Sequence, residues 1–150
     1  MALKQRLQDD IKTALLGGDR FVGETLKNAK AAILNEEVAQ NKRDVGLSDE
    51  EIEKILAREV KKRNESATLY EQNDRKESAD NERKEAEILS AYLPKQMTED
   101  EIRVVVEAKI SQLNASGMQA MGQVIGAVKT EVGNTGDGAL IAKLVKEALN

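Results

Sequence analysis

The stretch from Ser48 to Ser90, SDEEIEKILAREVKKRNESATLYEQNDRKESADNERKEAEILS, decides the fold. Ile52, Ile55, Leu56, Val60, Ala67 and Tyr70 recur at helical spacing, fade through a charged interval, and resume at Ala86, Leu89 and Leu93. Such a period lines one face of a helix, and no segment alternates residue by residue as a half-buried strand must. Ser48 and Glu51 form a capping box, in which the serine accepts from one orphan amide and the glutamate returns the bond. Unbroken, the helix would run for about 64 Å at about 1.5 Å per residue, more than twice the width of a small domain. The sequence therefore predicts a break at Asn73 or Asp74, whose side chains tolerate left-handed backbone and compete locally for amide hydrogen bonds.

Working back toward the N-terminus, Leu3, Leu7, Ile11, Ala14 and Leu15 share one helical face, and Gly17 and Gly18 follow as stop signals. Asp19 is placed to cap a second helix carrying Val22, Leu26, Ala29, Ile33, Leu34 and Val38 inward. The polar run over residues 40–44 ends it.

Working forward, Pro94 is the only proline; it removes a donor and disfavours helix at Leu93, so it marks a boundary between residues 1–94 and 95–150. Thr98 and Glu101 repeat the capping box and open a helix with Ile102, Val105, Val106, Ile110 and Leu113 on one side. Ser116 with Gln119 reads as a third cap, before Met118, Met121, Val124, Ile125, Val128 and Val132. After the turn over residues 133–138, Asp137 caps a last helix that turns Ile141, Leu144, Val145, Ala148 and Leu149 inward. The fold class is thus all-α: N-terminal helices with one long, broken helix, then a three-helix bundle over residues 97–150.

Composition narrows the chemistry. Of the 150 residues, 33% are charged, the aromatics are Phe21, Tyr70 and Tyr92 alone, and there is neither cysteine nor histidine. Disulfides, thiolates, imidazole bases and nearly all zinc sites are excluded. No catalytic residue, metal site or cofactor is expected. The N-terminus carries charges where a signal peptide needs an apolar run, and no segment reaches the roughly 20 apolar residues that span a bilayer. The expected compartment is the cytoplasm, with no membrane partner. The 23 Lys and Arg against 27 Asp and Glu give a net charge of −4, spread along the chain. DNA is not an expected partner, and RNA would need a local basic patch.

Acidic runs at Asp49-Glu50-Glu51 and Glu99-Asp100-Glu101 lie in first turns, where negative charge meets the helix dipole; capping explains them better than metal binding. The glycine-rich turn over residues 133–138 follows a helix and lacks the Lys-Ser or Lys-Thr of a phosphate loop, so it reads as a cap joined to a cap, although the amides at the last helix's start could meet RNA phosphate. Lys61, Lys62 and Arg63, with Arg58 and Lys54 before them, are diluted by Glu53, Glu59 and Glu65 into a salt-bridged face. Met118 and Met121 read as core, with Gly117, Gly122 and Gly126 permitting close helix approach. Tyr92 is assigned to packing at the domain junction.

The C-terminal stretch ASGMQAMGQVIGAVKTEVGNTGDGALIAKLVKEALN, preceded by AYLPKQMTEDEI, closely resembles the GatB/YqeY family. LKQRLQDDIKTAL, TLKNAKAAILNEEV and EVKKRNESATLYEQNDRKE look like free-standing YqeY proteins, so the resemblance covers the whole chain. It implies a C-terminal bundle similar to the tail domain of GatB, the subunit that helps convert misacylated Glu-tRNA or Asp-tRNA to the glutaminyl or asparaginyl form. In that family the tail contacts tRNA while catalysis happens elsewhere, and the label of carbon-nitrogen ligase with glutamine as amido donor follows the larger subunit. Met121-Gly122 matches the family's Met-Gly motif, Asp137-Gly138 its last turn, and Leu144-Val145-Lys146 its final helix. Thr135 and Ala139 stand where relatives commonly carry basic residues. The resemblance implies a tRNA-associated accessory protein, with tRNA or an amidotransferase complex as partner and Lys95, Lys129, Lys143 and Lys146 as phosphate contacts. The rival reading is a protein-interaction adaptor that presents the long helix.

Overall fold

The computed structural model describes residues 2–150. Its α-helices are α1 (Ala2–Leu16), α2 (Arg20–Ala39), α3 (Asp49–Gln72), α4 (Lys76–Ser90), α5 (Glu99–Leu113), α6 (Met121–Val132) and α7 (Gly138–Leu149), with 3-10 turns at Met118–Ala120 and Gly133–Thr135. Among the described residues there is no strand, and the chain is all-α. It divides into two compact units, one ending at Leu93 and the other running from Pro94 to Asn150.

In the first unit, Leu7, Leu26, Ile33, Ile52, Leu56 and Leu89 meet in one core. Each such side chain contributes about 1.5–3 kcal/mol by leaving water. The α1–α2 turn depends on Gly18, at φ +79°, a backbone state open to glycine at little steric cost; Asp19 then accepts the Val22 amide at 3.1 Å. At the far end of α3 the chain breaks where the sequence predicted: Asn73 caps α3, Asp74 takes φ +56°, and α4 returns antiparallel as a helical hairpin.

The inward face of α2 runs through Leu26, Ala29 and Ile33 and continues, one turn on, to Glu37. This carboxylate is fully buried. Lys4 of α1 donates to its two oxygens at 2.8 and 2.9 Å, and the Leu47 amide donates to Oε2 at 3.1 Å. Those bonds, the lysine's first, hold the carboxyl below its ordinary value against the opposing effect of burial. Tyr92 lies inside this first unit: its hydroxyl donates to Asp10, and the Arg6 guanidinium sits 4.4 Å from its ring centroid.

Several residues expected inward face solvent instead. Leu34 and Val38 each lie one position, about 100°, round α2 from the burying face, and Val38 is 57% exposed. Leu15, near the end of α1, lies over Gly23 of α2 yet remains 42% exposed.

In the second unit, α5, α6 and α7 enclose Ile102, Val106, Val124, Val128, Ile141 and Val145. Thr98 and Glu101 form the expected box, and Asp137 caps α7 by accepting the Ala139 amide at 3.2 Å. The Ser116–Gln119 cap is not formed. Asn114 goes left-handed and Gly117 takes φ +77°, which turns the chain once more, so a 3-10 turn intervenes and α6 begins at Met121 without a side-chain cap. Met118, in that turn, is out of phase with α6 and 42% exposed rather than in the core. Gly122 and Gly126 do not serve close helix packing: a Cβ at either would meet nothing within 4 Å. Each is two positions from an inward valine, Val124 or Val128, and two positions is about 200° round a helix. Leu113 and Ala148 are also exposed; the inward line at the end of α7 passes through half-buried Leu149.

Candidate nucleic-acid interface

The acidic runs are occupied as caps. Ser48 and Thr98 each complete a box with Glu51 and Glu101. Glu51 also receives Lys42 Nζ at 2.5 Å, and that ammonium, with the Ser48 amide, holds its carboxyl down to about 2. Asp49 accepts the Leu3 amide at 3.2 Å. Among the described residues no three carboxylates gather as a ligand set for a metal ion.

The basic run on α3 is also engaged, Lys61 excepted. Arg63 reaches Glu59 at 3.3 Å and Glu85 at 3.4 Å, Lys62 reaches Glu59 at 3.4 Å, and Lys54 reaches Glu50 at 3.7 Å. This is the salt-bridged face that the interleaved glutamates predicted.

Among the described residues the first unit still leaves Lys12, Arg20, Arg43, Lys61, Lys76 and Lys84 exposed and outside any ion pair, and the second unit likewise holds cations of both kinds. Its cations are Lys95, Arg103, Lys109, Lys129, Lys143 and Lys146. Arg103 is held by Glu99 and Asp100 at 3.2 and 3.1 Å, and Lys109 by Glu131 at 3.0 Å. Among the described residues the other four, all exposed, form no ion pair. They are the lysines singled out in the sequence.

The fold places them in two groups. The segment before α5 is tied to the turn before α7, because the Met97 amide donates to the Thr135 carbonyl at 2.7 Å and Gln96 Nε2 to the Asn134 carbonyl at 3.0 Å. Lys95 therefore stands near that turn. From α6, Lys129 reaches the same region: a Cβ at Gly138 would lie 3.6 Å from its Nζ. Lys143 and Lys146 share the outer face of α7, opposite Ile141, Leu144 and Val145. Of the motif residues, Met121 packs against the core, Gly122 is exposed on α6, and Asp137-Gly138 starts α7.

At the start of α7 the Ala139 amide is already taken by the Asp137 carboxylate, whose charge would oppose a phosphate there. The three aromatic residues all belong to the first unit, so the second has no ring on which a base could stack. Sequence reasoning missed the buried carboxylate Glu37; its signal was the four-residue step from Ile33 on an inward face.

Two comparisons bear on this arrangement. The family model described as Yqey-like protein matches residues 4–149. "Altered inheritance of mitochondria protein 41, mitochondrial" from Clavispora lusitaniae (strain ATCC 42720) is 32% identical over 93 residues, 61% of this chain and 52% of that protein. The chain thus spans about half the length of that curated relative. Among the described residues no helix is long and apolar enough to cross a membrane.

Proposed function

This chain belongs to the YqeY-like family, and from that premise we propose that it is a tRNA-associated accessory protein whose second unit holds RNA phosphates through Lys95, Lys129, Lys143 and Lys146. The observation that carries the reading is the division of cations in that unit: Arg103 and Lys109 are neutralised by neighbours, whereas Lys129, Lys143 and Lys146 face solvent without an acid partner among the described residues and Lys95 feels only the nearby charge of Glu101.

Lysines are point charges on flexible stems, so they fix a backbone in place without reading its sequence. In this proposal the chain works beside a glutamine-dependent aspartyl- or glutamyl-tRNA amidotransferase, a carbon-nitrogen ligase, and binds rather than catalyses. The Met121-Gly122 and Asp137-Gly138 motifs and the resemblance of the C-terminal sequence to the GatB/YqeY family support that placement. The cytosol is the proposed compartment; the name of the Clavispora relative places that protein in mitochondria.

Fluorescence anisotropy of the purified chain with total tRNA at low and physiological salt tests the proposal. Affinity of about 1–100 μM that weakens steeply with salt is the expected result. Replacing all four lysines by alanine should lower the salt slope by about 3–4 and weaken binding alike across tRNA species. Full affinity in that variant would overturn the lysine assignment. No binding even at low salt would overturn the RNA reading and leave a protein-interaction adaptor in its place.

A further inference from the structure

The α3–α4 hairpin is built differently at its two ends. Near the rest of the first unit it contributes Ile52, Ile55, Leu56 and Leu89 to the core, with Val60 and Ile88 packed against it. Beyond Val60 and before Ala86, the buried residues are Ala67 and Ala79 alone. Two methyl groups bury little apolar surface, and the one large aliphatic side chain of this outer part, Leu69, is 60% exposed.

Charge does the joining there instead. Arg83 of α4 meets Glu71 of α3 at 2.7 Å, and Arg63 of α3 meets Glu85 of α4 at 3.4 Å. Arg63 is the better buried of the two arginines, with its side chain 13% exposed, yet its Nε has no aligned acceptor. Glu59, one turn back on the same helix, shares it at 3.3 Å, and burial together with Glu85 pushes the nearby Glu82 carboxyl upward. At the tip, Asp74 holds a left-handed backbone that a non-glycine residue enters at a cost.

We infer that the outer half of the hairpin, residues 61–85, opens as a unit of its own while the inner end stays folded, its ion pairs making the opening sensitive to salt. Sub-global openings of this kind arise where buried apolar contacts are few, and the exposed Arg83–Glu71 pair that closes the hairpin is screened as ionic strength rises, the more buried Arg63–Glu85 pair less so.

Hydrogen exchange on the full chain, read by mass spectrometry at peptide level, tests this. Amides from Arg63 to Glu82 should exchange at least about tenfold faster than those around Ile55, Leu56 and Leu89, relative to their intrinsic rates. Raising salt to about 0.5 M should speed the outer amides about threefold or more and leave the inner ones unchanged. Arg63→Gln should accelerate the outer amides further, with the second unit unaffected. Equal protection along the whole of α3, with one common salt response, would overturn the inference. That comparison is made within the wild-type chain, so it holds whether or not the variant folds.

Discussion

The two units solve the problem of burial in opposite ways. The first takes charge inside: the buried polar residues among those described are Thr25 and Glu37, both of the first unit, and Glu37 is joined to Lys4 from another helix. The second encloses aliphatic side chains only. A buried ion pair fixes how α1, α2 and the residues before Ser48 meet, but it makes stability depend on a titrating group. A purely aliphatic core has no such dependence.

The largest expected effect that sharpens this contrast is in the aliphatic core. Ile141→Ala removes a fully buried side chain and should cost about 4 kcal/mol, seen as a lower urea midpoint, with the deficit the same at pH 7 and pH 3. Glu37→Ala comes next. It leaves the Leu47 amide without its acceptor and Lys4, 24% exposed, without its partner, and should cost about 2–3 kcal/mol at pH 7. Because the folded-state value of Glu37 is depressed, its contribution is present above the unfolded value of 4.5 and is lost as pH falls through the folded one. The gap between wild type and Glu37→Ala should therefore close in urea titrations below about pH 4.5; a gap that stays constant to pH 3 would break the contrast. The smallest effect has the opposite sign. Gly122→Ala and Gly126→Ala should each raise stability by about 0.5–1 kcal/mol in thermal unfolding, since a Cβ there meets nothing and alanine is the better helix former. No gain at either site would mean that the outer face of α6 is not open.

Much of this was legible because helical period and capping chemistry are local. Both capping boxes and the hairpin break could be read from residues within one turn of each other, as at Ser48 with Glu51 and at Asn73 with Asp74. Local reading failed where two left-handed residues intervened: Ser116 and Gln119 have the spacing of a cap, but the turns at Asn114 and Gly117 delay the helix to Met121. It failed again at Val38, because apolar spacing alone does not say which side of a stripe is covered. Glu37 was hidden for a different reason: its partner is 33 residues away, and only tertiary packing brings Lys4 to it. In the candidate interface, the positions of basic residues can be read from sequence, but which of them find an acid partner, as Lys109 finds Glu131, depends on how α5 and α6 pack.

The confinement of Tyr70 and Tyr92 to the first unit, in a chain without tryptophan, has an optical consequence. Intrinsic fluorescence reports on that unit alone. Tyr92, bonded through its hydroxyl to Asp10, is a probe whose emission should change when α1 leaves it, while the bundle after Pro94 gives no intrinsic fluorescence and is followed through the circular dichroism of its helices.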